Sequence, residues 1–219
     1  MNPTLRRSLA AATVCAAALA AASCGPATPH NTGVYLLLDT SGTYREELDK
    51  AKQIINYTLA RLDGLDTFAV ARIDTGSFSE QDILAKVTLD DRPSAANQQK
   101  REFAQTVERF LDETPSSQYT DITGGLLQAV EFLNEKQPGR KTIFIFSDLK
   151  EDLEAGYVRD IEVPVDGFEV VALNVTKLRS DNVDPREYLS RLDAWKERIE
   201  AEGGTWRVIN DLDRLETLL

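Results

Sequence analysis

Histidine and cysteine are nearly missing from this chain. The only histidine, His30, lies in a stretch of Pro, Thr, Asn and Gly. Its placement excludes histidine-based triads, an imidazole base within the folded body and His-ligated zinc. The two cysteines, Cys15 and Cys24, both lie near the N-terminus, so no disulfide staples the body. Basic charge is also scarce: 25 Lys and Arg face 36 Asp and Glu, for a formal net charge of −11. Two of those cations, Arg6 and Arg7, sit in a leading segment without acids, so the remainder is more acidic still. Such a body argues against nucleic acid as a partner, and solubility is the plain reading of its charge. Leu9–Ala22, an alanine-rich apolar run, is too short to span a bilayer comfortably.

What is present is globular: 219 residues, 42% hydrophobic and 28% charged. That is enough for one α/β domain with an appendage. Residues 1–23 read as an export signal, with Arg6 and Arg7 as the positive region ahead of the apolar run. The run ends Ala21-Ala22-Ser23-Cys24, which resembles the bacterial lipobox, where the cysteine becomes the lipidated first residue. Ordinary cleavage after Ala22 is the alternative, since Ala20-Ala21-Ala22 fits the small-residue rule. Lipidation of Cys24 implies tethering to a membrane leaflet in the bacterial cell envelope. Gly25 after the cysteine points to the outer membrane, with the domain facing periplasm or exterior. Residues 24–32 then form the lipidated N-terminus and a spacer, and 33–219 the domain.

Within the domain, strand and helix patterns alternate. Val34–Leu38 is a buried apolar strand. Tyr44, Leu48, Ala51, Ile55, Leu59 and Leu62 make one face of a helix over 44–62, with Glu46 and Glu47 in its first turn. A strand follows over 67–74, and Ile83, Ala85, Val87 and Leu89 alternate as in an edge strand with one wet face. Helices are predicted over 95–112, after Gly125 up to Pro138-Gly139, and after Asp184-Pro185 up to Gly203-Gly204. Thr123 reads as the cap of the second of these. Strands are predicted over 142–146, 168–175 and 205–209, and a last helix carries Leu212, Leu215 and Leu218. This order makes one doubly wound domain without internal repeats.

The first strand ends Asp39-Thr40-Ser41-Gly42-Thr43. Asp39, Ser41 and Thr43 alternate, so their oxygens can converge at the carboxyl edge of a parallel sheet. Hard oxygen donors without imidazole or thiolate suit a magnesium-type cation. The pentapeptide resembles the Asp-x-Ser-x-Ser signature of von Willebrand factor A (VWA) domains, with Thr43 in place of the last serine. Thr120, in Thr120-Asp121-Ile122-Thr123-Gly124-Gly125, is similar to the second segment of that family's metal-ion-dependent adhesion site (MIDAS). Asp148, in Ser147-Asp148-Leu149, matches the aspartate of the family's usual Thr-Asp-Gly, with Leu149 replacing the glycine.

The resemblance covers the whole domain and implies a mostly parallel six-stranded sheet with helices on both faces and one antiparallel edge strand. It implies that Asp39, Ser41, Thr43, Thr120 and Asp148 gather around Mg²⁺ or Mn²⁺. In the family the hydroxyls of the first motif bind the cation directly, the threonine directly or through water, and the aspartates mostly through water. Uncharged ligands leave the cation electrophilic, so an open position favours a partner's carboxylate. A binding module, not an enzyme, is the expectation. Other readings are weighed beside it. Each of the five side chains can serve simply as a cap or turn residue. A scaffolding lipoprotein can use the fold without metal. Leu38–Thr43 superficially resembles the Asp-x-Asp-x-Thr motif of haloacid-dehalogenase-like phosphatases, but Ser41 cannot act there as the second acid. Asp74-Thr75-Gly76 looks like an aspartic-protease tripeptide, yet it occurs once and amid helical patterns, so Asp74 reads as a strand-end turn acid. Lys150–Asp166 is an acidic, irregular stretch expected on the same rim.

Overall fold

A computed structural model describes residues 29–211 except 43, 45–46, 75, 77, 114–116, 157–158 and 160, together with Leu218. The signal segment, Cys24, Thr43, Glu46 and most of the expected terminal helix lie outside the described residues.

Six strands form one sheet: β1 (Thr32–Asp39), β2 (Thr67–Ile73), β3 (Ile83–Thr88), β4 (Arg140–Phe146), β5 (Phe168–Leu173) and β6 (Thr205–Ile209). Their order is β3-β2-β1-β4-β5-β6. Only β3 runs antiparallel, against β2 at the edge; the remaining pairings are parallel. Four helices are described: α1 (Leu48–Arg61), α2 (Pro93–Glu113), α3 (Ile122–Lys136) and α4 (Pro185–Ala201).

Strand side chains alternate between the two faces, and so divide the core in two. Tyr35, Leu37, Ile143 and Ile145 pack with α3 and α4 through Leu126, Leu133, Trp195 and Ile199. Val34, Leu36, Leu38, Phe144 and Phe146 pack with α1 and α2 through Ile54, Leu59, Phe103 and Val107. The leucines of β1 are wholly excluded from water, each contributing roughly 2 kcal/mol of burial. Continuous apolar runs in β1 and β4 follow from this central position, since both faces are covered. Gly125 lets α3 approach β1: a Cβ there would lie 2.8 Å from Leu37 Cδ2.

The expected boundaries and caps move in several places. The linker ends earlier, because Thr32 already belongs to β1. Asn31 is fixed to the body as well, its carbonyl accepting from Gly139 N at 2.9 Å and Arg140 N at 3.2 Å. Helix α1 starts at Leu48 rather than Tyr44. Tyr44 sits in a turn closed by Tyr44 N donating to Ser41 O at 3.0 Å, and its buried ring meets Phe146 edge-on at 5.0 Å. Its apolar spacing therefore reported burial from a turn rather than from a helix face. Thr123 is not the cap of α3: Asp121 is, its Oδ1 accepting from Gly124 N at 2.8 Å. Strand β5 ends at Leu173, two residues short of the expected Val175, because Asn174 turns into a left-handed conformation with φ 51°.

Candidate functional site at the carboxyl edge of the sheet

Strand order reverses at β1: β2 lies on one side of it and β4 on the other. Crevices at such a reversal, beyond the carboxyl ends of the strands, are where open α/β sheets hold ligands. Asp39 closes β1, and Ser147-Asp148 follow β4 directly alongside, since Leu38 pairs with Phe146.

Asp39 is 1% exposed, and its two oxygens face different partners. Oδ1 accepts from Ser41 N at 2.9 Å, an Asx-type turn that folds the Thr40-Ser41-Gly42 segment over the strand end. Oδ2 accepts from Ser147 Oγ at 2.7 Å. The same Ser147 Oγ accepts from Leu149 N at 3.0 Å, so one hydroxyl ties the β1 and β4 exits together.

Asp148, 5% exposed, caps its own turn, with Oδ1 accepting from Lys150 N at 2.9 Å. Burial holds its carboxyl above the usual carboxylate range; the charge of Asp39 pushes the same way, while the Lys150 N–H bond and the Arg191 and Lys150 charges pull back. Two carboxylates thus share one poorly solvated neighbourhood.

The left-handed turn that follows, where the VWA pattern has glycine, is kept here by a leucine. Leu149 has φ 65° and is buried to 1% exposure. Trp195 Nε1 donates to its carbonyl at 3.0 Å, and Arg191 Nε donates to the Asp148 carbonyl at 2.9 Å. Helix α4 therefore fixes the loop that glycine would otherwise ease into place.

Thr120 arrives from a third direction. Its backbone pairs with Asp152 in both senses, at 2.7 and 3.0 Å, which draws the acidic 150–166 stretch onto this rim. The nearly buried Thr120 side chain makes no hydrogen bond among the described residues. Ser41 and Ser117 form an isolated bridge, with Ser117 N donating to Thr40 O at 3.0 Å. One cavity of about 290 Å³ is lined by Ser41, Gly42, Ser117, Thr120, Asp148, Lys150 and Asp152.

Three of the five expected site residues, Ser41, Thr120 and Asp148, thus meet at one cavity; Asp39 is not among the residues that line it, and Thr43 is outside the described residues. Sequence reasoning missed Ser147, Ser117, Asp152 and Arg191. Ser147 stood beside a matched aspartate, and Asp152 stood in an acidic stretch. Arg191 carried no signal, because a helix-borne arginine 43 residues away reveals nothing of its target. Asp74, the strand-end acid of β2, accepts from Ser117 Oγ at 2.6 Å and pairs with Arg72 at 3.5 Å. Among the described residues no group of three or more His, Cys, Asp or Glu is placed to hold a metal, so hydroxyls must complete any donor set here.

No protein-family profile matches the chain, and no curated protein matches its sequence. Solved structures do match in shape. A von Willebrand factor type A protein from Catenulispora acidiphila aligns over 85% of this chain and 40% of its own, with 16% identity and a TM-score of 0.50. The fold is that of a VWA domain. The pilus adhesin SpaC from Lactobacillus rhamnosus GG, in its open conformation, aligns over 89% of this chain and 29% of its own, with 12% identity and a TM-score of 0.53. This VWA-like chain spans less than half the length of either relative. The cavity lined by Ser41, Thr120 and Asp148 lies at the carboxyl edge of the sheet, beside β1. No described helix is long and apolar enough to cross a membrane.

Proposed function

We propose that this VWA-like domain binds another protein through a divalent cation, Mg²⁺ or Mn²⁺, completed by an Asp or Glu of the partner. The observation that carries this reading is the meeting of Ser41, Thr120 and Asp148, from three separate loops, at one cavity. The donors suit the ion: two hydroxyls and two carboxylates are hard oxygens, and the thiolates and imidazoles that would favour softer metals are missing. Paired buried carboxylates also gain from a cation, which offsets their mutual repulsion. Ser41 and Thr120 would hold the ion, with Thr43 completing the first motif. Asp39 and Asp148 would supply charge from behind, since both already accept protein hydrogen bonds. The ion would supply a Lewis-acidic position for a carboxylate; no bond-making chemistry is proposed.

Titration calorimetry with Mg²⁺ and Mn²⁺ tests this directly. Wild type should give a binding heat that Asp39→Ala and Ser41→Ala lose. Identical traces in all three would leave a scaffolding domain that uses the fold without metal. A pulldown from the source envelope with and without chelator extends the test to the partner.

We further propose that the chain is anchored in the cell envelope by lipid on Cys24. Fatty-acid labelling that survives Cys24→Ser would remove that part and leave the cation site standing.

A further inference from the structure

A second cleft, of about 230 Å³, opens between α3 and the turn entering β3. It is lined by Phe78, Ile83, Gln128, Glu131, Phe132 and Glu135, with Glu80 at its lip. The α3 residues stand at positions i, i+3, i+4 and i+7, hence on one helix face. None of them belongs to the cation site.

Gln128 is the telling residue. It is 5% exposed, yet it lines the cleft. Its Oε1 accepts from the buried Tyr35 hydroxyl at 2.8 Å. Its Nε2 donates to no described group, and it is not among the fully enclosed orphan atoms. An amide donor is thus held among the mixed polar and apolar residues that line the cleft. A carbonyl oxygen is the acceptor that such a donor calls for.

The walls select the rest. Phe78 is 53% exposed, and Ile83 and Phe132 continue its apolar surface inward. The rim is acidic. Glu80 is only loosely paired, with Lys86 at 3.6 Å, and Glu135 pairs with Lys136 at 3.0 Å. Glu131 is exposed and has no ion-pair partner among the described residues. The volume falls short of the roughly 300 Å³ at which small-molecule pockets begin, and suits a single anchoring side chain.

We propose that this cleft binds a basic peptide segment of a partner protein, anchored by one aromatic or leucine side chain. The apolar anchor fills the Phe78–Phe132 wall, a backbone carbonyl of the segment accepts from Gln128 Nε2, and flanking Lys or Arg side chains face Glu80, Glu131 and Glu135. The site is independent of the cation-binding reading.

Two capped synthetic peptides test it, acetyl-Lys-Leu-Phe-Lys-amide and acetyl-Glu-Leu-Phe-Glu-amide. Each is titrated into the isotope-labelled protein with chelator present, so that the cation site plays no part. Proton–nitrogen spectra should show the basic peptide moving the Gln128 side-chain amide and the backbone amides of Phe78 and Phe132. The acidic peptide should leave them in place. Glu131→Lys and Phe78→Ser, both at exposed positions, should each weaken the basic peptide about fivefold. Equal shifts from both peptides, shifts confined to other surfaces, or variants that bind as wild type would each overturn the proposal.

Discussion

Ser147 Oγ donates to Asp39 Oδ2 at 2.7 Å across the exits of neighbouring strands, and both residues are buried. The bond holds the one carboxylate that the first motif contributes, at the place where the sheet changes winding direction. Asp39 also shapes the Thr40–Gly42 turn through Ser41 N, so its orientation governs the backbone that carries Ser41. Ser147→Ala should therefore act twice. It should cost about 1–3 kcal/mol in urea unfolding, since a buried acceptor loses a donor. It should also weaken the Mg²⁺ calorimetric signal without abolishing it, because the hydroxyls that face the cavity stay.

Asp148→Asn should separate stability from ion binding. Removing the charge of this buried carboxyl ends first its desolvation cost and then its repulsion with Asp39, so the metal-free protein should unfold at a higher urea concentration than wild type. If the proposed site takes Mg²⁺, the same variant should lose most of the stabilisation that the ion would confer on wild type. Thermal melts with and without Mg²⁺ measure both quantities. A metal-free variant less stable than wild type would mean that the turn hydrogen bond to Lys150 N outweighs the repulsion.

Gln137 and Leu149 adopt left-handed conformations in opposite surroundings, and glycine should affect them oppositely. Gln137, with φ 52°, closes α3 on the surface and has no buried side chain to lose. Gln137→Gly should stabilise the protein by up to about 1 kcal/mol. Leu149, with φ 65°, is buried in the core beside Trp195. Leu149→Gly relieves the same backbone strain but removes a packed side chain worth roughly 2–5 kcal/mol, so the net change should be a loss. Chemical denaturation of the two variants in parallel gives the signs.

Buried Asp181 pairs with half-buried Arg191, with Arg191 Nη2 to Asp181 Oδ2 at 2.8 Å. Arg191 hydrogen bonds hold the Asp181 carboxyl below the usual range, against the opposing effect of burial. A carboxylate depressed in the folded state stabilises fully above its unfolded value of about 4, and that contribution disappears as pH falls through the lower folded value. Wild type should therefore lose stability more steeply than Asp181→Asn below about pH 4. Urea midpoints taken between neutral and strongly acidic pH check this. At neutral pH, Arg191→Met should cost about 1–3 kcal/mol, because it leaves Asp181 with the Leu178 N–H as its remaining hydrogen-bond donor among the described residues.

Several features of the protein were legible from residue order alone. The apolar runs in β1 and β4, the alternation in β3, and the Asp184-Pro185 start of α4 each depend on local periodicity or capping, which sequence encodes directly. For the candidate site's first element, residue order placed Asp39 at a strand end, whereas the position of Ser41 depends on the turn closed by Ser41 N donating to Asp39 Oδ1. The features that residue order misplaced were those in which a distant partner overrode local pattern. Tyr44 looked helical because it is buried, but its burial comes from Phe146. Thr123 looked like a cap, but its Oγ1 accepts from Arg198 at 2.8 Å while Asp121 does the capping.

Sequence by itself determined the strand–helix alternation, the acidic charge, the near-absence of nitrogen and sulfur ligands, and which hydroxyls and carboxylates stand at strand ends. Only the tertiary structure decided that Ser41, Thr120 and Asp148 share a cavity, that Ser147 secures Asp39, and that helix α4 holds Leu149 in a glycine-like turn. The physical reason is range. Propensity, spacing and charge act between neighbours in the chain, whereas convergence depends on sheet order and on buried hydrogen bonds between residues about a hundred positions apart, which exist only once the core has closed.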